Sequence, residues 1–278
     1  MESSLPEKFS SESKKELFSE CECMKQDWIK TDDELNRLRN SGREMAKIVE
    51  RLALEVRPGV STGEIDALAE KWITEIGGIP IFKGYGHGTP FPATICASIN
   101  EEVVHGIPSF DRILQEGDLF KMDIGMRYEG MVSDMARTFA VGKVSPEAQR
   151  LLDATRESLD AGIATLRPGA KMIDYARAVE ERVKRDGFLP VRDLVGHGVG
   201  RELHEEPQIP NYVTKSVPGF TFAEGMAIAL EPMINAGGWE VKLGPDKWTF
   251  VTADGSLSSH FEDSVIITKD GAEIVTRL

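Results

Sequence analysis

Two hydrophobic periods alternate along the chain. Leu38, Met45, Ile48, Val49, Leu52 and Val56 recur at helical spacing, and Thr31-Asp32-Asp33-Glu34 ahead of them reads as a capping box. This helix is predicted to stop before Arg57-Pro58-Gly59, and a second, from Ser61 to about Ile76, runs to Gly77-Gly78-Ile79-Pro80. The same phrase then returns. Leu151, Leu152, Thr155, Leu159, Ile163 and Leu166 form another amphipathic stripe closed by Arg167-Pro168-Gly169, and the helix after it ends at Gly187-Phe188-Leu189-Pro190. Arg57 and Arg167, Pro58 and Pro168, Gly59 and Gly169, Glu70 and Glu180, Gly77 and Gly187, and Pro80 and Pro190 are each 110 positions apart. One gapless offset through helix, turn, helix and strand start implies two similar halves, about 35–143 and 147–278.

A β-rich section follows each helical pair. The first is predicted to hold Thr94 to Asn100, Val103 to Ile107 and a hairpin of Leu119–Met126 with Met131–Val141. The second should hold Val191 to Val195, Met226 to Glu231, Phe261 to Thr268 and, after a Lys269-Asp270-Gly271 turn, Ala272 to Thr276. Hairpin connections favour antiparallel pairing, so the expected class is α+β: two pseudo-symmetric α/β halves forming a curved, mostly antiparallel sheet with helices outside. Polar residues on its inner face would converge at the junction, where pockets form.

The hairpin carries the first candidate chemistry. A two-residue loop at Tyr128-Glu129 would set Asp123 directly opposite Asp134, and a bulge at Gly130 would shift that register by one or two. Facing carboxylates repel. A shared hard divalent cation between them removes the conflict, although on the hairpin alone a pair of exposed edge-strand acids is the more economical reading.

Composition narrows the class. A chain of 278 residues that is 41% hydrophobic can bury a substantial core, and a net charge of −13 argues against direct nucleic-acid binding. Three cysteines, Cys21, Cys23 and Cys96, fit no disulfide framework, and Cys21-Glu22-Cys23 is too tight for a zinc pair. With no apolar signal segment in Met1 to Lys30 and no apolar run of membrane length, a soluble cytoplasmic protein is expected. Residues 1–28, rich in Ser, Glu and Lys, read as an N-terminal extension, either a loose helix or a flexible arm, ahead of one domain over 29–278.

The chain has five histidines, His87, His105, His197, His204 and His260, which makes their settings informative. His197 stands in Gly196-His197-Gly198-Val199-Gly200, where little bulk hinders approach to the imidazole; a plain turn histidine is the alternative. His105 alternates with apolar neighbours and is predicted to point to one sheet face, as a site residue or as a hydrogen-bonded structural one. His204, in His204-Glu205-Glu206-Pro207, reads equally well as a surface-loop residue. Glu231 ends an apolar strand and precedes Pro232, a costly place for an unpartnered charge. Glu262 is expected to share a strand face with His260 and Ser264. Should Asp123, Asp134, His197, Glu231 and Glu262 converge, their four carboxylates balance two divalent cations, and carboxylate plus imidazole suits Mn, Fe, Co or Zn alike. Two such ions activate water and polarise an electrophile, so hydrolysis is the natural reaction class, with a phosphoesterase open beside a peptidase.

Together, Asn100-Glu101-Glu102-Val103-Val104-His105-Gly106-Ile107-Pro108, Asp123-Ile124-Gly125, Ser133-Asp134-Met135-Ala136-Arg137-Thr138, Gly196-His197-Gly198-Val199-Gly200, His204-Glu205-Glu206-Pro207, Glu231-Pro232-Met233 and Phe261-Glu262 resemble the type I methionine aminopeptidases of the pita-bread metallopeptidase family. The resemblance spans about Ile29 to the C-terminus, and the internal repeat agrees with that fold's pseudo-two-fold symmetry. It implies removal of the initiator methionine from nascent chains. Asp123 would chelate one metal, Asp134 and Glu262 would bridge, and His197 and Glu231 would hold the other; Glu231 also matches the general base. His105 would contact the scissile amide nitrogen or leaving group and His204 the carbonyl oxygen, while Tyr85, Phe91, Cys96 and Trp248 match lining positions of the methionine pocket.

Some residues depart from the family pattern. Leu203 replaces a frequent Phe, the stretch Gly86-His87-Gly88-Thr89-Pro90 is longer than usual, and His260 and Asp263 flank Glu262 where Gln and His are common. Relatives that cleave before proline, or act on dipeptides or creatine, generally carry a large N-terminal domain in place of this short arm, and type II enzymes carry an insertion in the second half. A binding module of the same fold would have lost ligands that are all present here. A monomer is expected, with the arm as a docking segment for the ribosome on its position alone.

Overall fold

The computed structural model describes residues 28–86 and 88–278. All but Trp28 of the expected N-terminal extension, Cys21 and Cys23 included, lies outside the described residues, as does His87.

The helices begin where their capping chemistry puts them. In α1 (Asp32–Ala53) the Glu34 N–H donates to Thr31 Oγ1 at 3.3 Å and the Thr31 N–H to Glu34 Oε2 at 2.8 Å. Ser61 and Glu64 repeat the device at α2 (Thr62–Glu75), which leads to β1 (Ile79–Pro80). Next come β2 (Ile95–Ile99), β3 (Glu102–Val104) and the long hairpin of β4 (Leu119–Tyr128) and β5 (Met131–Ala140). Ser145 caps α3 (Pro146–Ile163), and Pro146 occupies its first turn, where no N–H is needed. α4 (Met172–Lys184) and β6 (Leu189–Pro190) follow. The end of α3, the start of α4 and the whole of β6 fall 110 residues after their counterparts at the end of α1, the start of α2 and β1. The chain closes with β7 (Gly196–Gly198), β8 (Glu205–Ile209), β9 (Ala227–Leu230), β10 (Met233–Asn235), β11 (Val241–Leu243), β12 (Phe250–Thr252), β13 (Ser258–His260), β14 (Asp263–Thr268) and β15 (Gly271–Ile274).

Every named strand pair is antiparallel. In the first half β4 lies between β2 and β5; in the second β9 lies between β7 and β14, with β8 and β15 outside them. A reciprocal backbone pair joins the two sheets, the Glu262 N–H to Ala136 O at 2.9 Å and the Ala136 N–H to Glu262 O at 3.3 Å.

Strand alternation decides what faces the joint. Phe120, Met122 and Ile124 pack outward against Met45, Ile48, Leu52, Ile65 and Ile73 of α1 and α2. Ile228, Leu230, Val265 and Ile267 pack likewise with Leu151, Leu159, Tyr175 and Val179 of α3 and α4. With the even positions of β4 and β9 committed to the helices, Asp123 and Glu231 are turned to the inner face. No described helix is long and apolar enough to cross a membrane.

Two strand expectations fail. Val191–Val195 is not a strand: Val191, buried with Val103, Val104 and Met233, donates its N–H to Met233 O at 2.9 Å at the end of β6, the ladder goes no further, and the next strand lies at Gly196–Gly198. The run Val103–Ile107 pairs only to Val104, because His105 takes a left-handed φ of 59° that ends the ladder.

Candidate metal centre and active-site cavity

The aspartate hairpin forms with a register shifted by two from the tightest expected one. Its two-residue turn is Glu129-Gly130, with φ of 51° and 82°, the paired positive values that suit a right-twisted hairpin. Tyr128 therefore pairs with Met131, Asp123 lies opposite Ala136, and Asp134 lies opposite Gly125. The carboxylates are diagonal neighbours on one face and do not oppose each other directly. A shift of two preserves the face, and both side chains are buried, at 8% and 3% exposure.

His197 sits in β7 between β8 and β9, and its glycines serve the backbone more than the imidazole. A Cβ on Gly196 would lie 2.5 Å from Ala229 O, and one on Gly198 2.2 Å from Glu206 O, so neighbouring strands occupy the space a side chain would need. His197 Nδ1 is 2.9 Å from Gly198 O. A carbonyl can only accept, so Nδ1 carries the proton and the Nε2 lone pair is turned to the acids. Nε2 lies 3.5 Å from Glu231 Oε1 and 4.0 Å from Asp134 Oδ2.

Three of the acids are held by their backbones. Ser264 Oγ accepts from the Asp134 N–H at 2.9 Å and donates to Asp134 O at 2.8 Å. Tyr175 Oη donates to Asn211 Oδ1, and Asn211 Nδ2 donates to Glu231 O at 3.2 Å. Arg137 donates from Nη1 to Glu262 O while Nη2 pairs with Asp263 Oδ1 at 2.7 Å, and Arg277 meets the other Asp263 oxygen at 2.6 Å. Asp263, one of the departures from the family pattern, is thus the counter-ion of two arginines that brace the Glu262 segment.

Ligand atoms of Asp134, His197 and Glu262 lie within 4.8 Å of one another. Glu231 joins through His197, and Asp123, across from Cys96, lines the same cavity. Asp123 Oδ1, Asp134 Oδ1 and Glu262 Oε1 are buried without a hydrogen-bond partner. Burial pushes the Asp123 carboxyl up to about 7. Burial, then repulsion among the group, drives Asp134, Glu231 and Glu262 well above the usual carboxylate range. Burial, with His204 beside it, holds His197 down to about 4, so its imidazole is neutral at pH 7. Crowded acids with orphaned oxygens around a neutral imidazole fit divalent cations.

The cavity over this cluster has a volume of about 470 Å³. Tyr85, Phe91, Cys96, Trp248, His105 and His204 all line it, together with the five candidate ligands. Phe91 and Trp248 meet edge to face at 5.2 Å. Tyr85 Oη lies 2.5 Å from His204 Nδ1, and the His204 and His197 rings are 4.5 Å apart, so His204 is a cavity residue and not one of a remote loop. His105, strained in the left-handed region, packs its ring against Trp248 and Phe250. Leu203 is buried with Phe82 and Phe91. The sequence reading passed over Phe82, Val104 and Met233 as lining residues. Their adjacency to β1, His105 and Glu231 was the available signal.

A profile of metallopeptidase family M24 matches residues 36–269. The methionine aminopeptidase of Clostridium acetobutylicum is 44% identical over 248 residues, covering 89% of this chain and 98% of that protein, and methionine aminopeptidase 1 of Bacillus subtilis is 43% identical, covering 90% and 98%. The crystal structure of methionine aminopeptidase from Thermotoga maritima superposes with a TM-score of 0.86 at 39% identity, over 90% of this chain and 99% of that one. A prolidase from Pyrococcus furiosus, at 22% identity and a TM-score of 0.73, shares the fold. The two larger sheets with their outer helices belong to the pita-bread fold, and the chain belongs to metallopeptidase family M24, within it to the methionine aminopeptidases.

Proposed function

We propose that this enzyme removes the N-terminal methionine from new polypeptides whose second residue is small. The observation that carries the reading is one cavity in which the Asp134, His197 and Glu262 cluster adjoins an apolar wall of Phe91, Cys96 and Trp248. Asp123 would hold one divalent ion, Asp134 and Glu262 would be shared by two, and His197 with Glu231 would hold the second; these donors suit Co, Mn, Fe or Zn. When bound, such ions supply Lewis acidity and lower the pKa of the water they share.

The remaining work falls to the chain's own residues. Glu231 accepts the proton of the attacking water. His105, kept neutral by burial that lowers it to about 4, faces the leaving amide nitrogen. His204, with Nδ1 engaged by Tyr85, keeps Nε2 to donate to the substrate carbonyl oxygen as it gains charge. Aromatic edges and the Cys96 sulfur suit a thioether side chain, and Leu203 in place of a bulkier ring widens that wall. Residues 29–278 form the catalytic domain, acting as a monomer in the cytoplasm on chains leaving the ribosome.

The test is a peptide panel with Mn²⁺ or Co²⁺ added to the purified protein. Free methionine should appear from Met-Ala and Met-Gly peptides, and peptides with a bulky second residue should be spared. Equal cleavage of Xaa-Pro peptides, or of none, would overturn the reading.

A further inference from the structure

His260 is enclosed at 1% exposure, and neither ring nitrogen has a hydrogen-bond partner. A buried imidazole without partners is costly, so an interaction is missing from its account. Its backbone is fixed. The His260 N–H donates to Thr138 Oγ1 at 2.9 Å, the same hydroxyl donates to His260 O at 2.7 Å, and the residue pairs with Met233 across β10 and β13. From there the ring reaches the diagonal neighbour Glu231, whose Oε2 is 3.7 Å from His260 Nε2. The other oxygen, Oε1, is 3.5 Å from His197 Nε2, so the Glu231 carboxylate is suspended between two imidazoles.

The two imidazoles differ in what they offer. The Nδ1 proton of His197 is engaged by Gly198 O, which leaves Nε2 as a lone pair for a cation. No described group engages either nitrogen of His260, so its Nε2 is free to carry a proton. The cluster whose ligand atoms lie within 4.8 Å of one another comprises Asp134, His197 and Glu262, with His260 on the far side of the Glu231 carboxylate from His197.

We propose that His260 is a positioning residue for Glu231: its Nε2–H donates to Oε2 and so turns Oε1 toward His197 and the metal. A movement of about half an ångström brings the pair within ordinary hydrogen-bond distance. The inference rests on the reading of Glu231 as a metal ligand and adds what sets the direction of its carboxylate. A glutamine at this position would present an amide donor at similar reach.

The test compares His260→Gln, which keeps a donor, with His260→Leu, which keeps bulk and loses it. Calorimetric titration of metal-stripped protein with Mn²⁺ should show one binding event weakened about 10- to 100-fold in His260→Leu and about threefold or less in His260→Gln. Nitrogen-15 spectra of the Zn²⁺-loaded wild-type enzyme supply a second measurement that needs no variant to fold. They should show His260 with Nε2 protonated and Nδ1 unprotonated. Wild-type affinity in His260→Leu, a His260→Gln as weak as His260→Leu, or an Nε2 that is unprotonated or metal-bound would each overturn the proposal. Failure of the wild-type protein to take up metal would instead overturn the reading of the site on which it rests.

Discussion

The hydroxyl of Ser264 in β14 forms a two-way hydrogen bond with the backbone of Asp134 in β5, accepting from its N–H at 2.9 Å and donating to its carbonyl at 2.8 Å. One side chain thus satisfies two buried groups across the joint between the halves. Ser264→Ala leaves both unpaired, and the expected loss is about 1–3 kcal/mol of stability. Urea unfolding of the metal-free protein measures it. An unchanged midpoint would show that the joint does not depend on this contact.

Tyr85 and His204 are similarly coupled, through the 2.5 Å contact between phenol and Nδ1. Tyr85→Phe keeps the aromatic wall and removes the hydroxyl that fixes the imidazole. With roughly 1 kcal/mol assigned to the bond, kcat should fall about 5- to 10-fold while KM for a Met-Ala peptide stays near that of the wild type. Steady-state kinetics decide the matter, and a change confined to KM would make Tyr85 a pocket residue only.

At the outer edge, Glu34 caps α1 and accepts from Arg201 Nε at 2.7 Å. Arg201, then the Thr31 N–H and hydroxyl, outweigh partial burial and bring its carboxyl down from 4.5 to about 2. A depressed acid stabilises the fold above its unfolded value, and that contribution is lost as pH falls from about 4.5 toward 2. Glu34→Gln should therefore be less stable than wild type at pH 6, with the difference shrinking across that window. Thermal unfolding at stepped pH measures it, and a constant difference would remove the charge from the explanation.

Much of the architecture was legible because local chemistry repeats. The capping box at Thr31, the Pro-Gly stops and the 110-residue offset located the helices and the paired halves. The hairpin was legible in its faces but not in its register. Glu129 takes a left-handed φ that Gly or Asn usually fills, so the turn read one residue early. The strands β10 to β13 have three residues each, too short for alternation to register. In the cavity, single residues were ambiguous: His197 among glycines fits a turn as well as a ligand. What separates the readings is tertiary, since the space beside Gly198 is taken by Glu206 O, a strand that no local pattern announced. The reach of His260 to Glu231 is of the same kind, a contact between strands that only the folded chain brings together.

The central claim is that Asp123, Asp134, His197, Glu231 and Glu262 together cage two divalent ions. Anomalous diffraction from crystals grown with Mn²⁺ tests it most directly. Two peaks should appear within coordination distance of these side chains, with Asp134 and Glu262 touching both. A map with no peak among them, or with an ion that leaves His197 and Glu231 uncoordinated, would contradict the account.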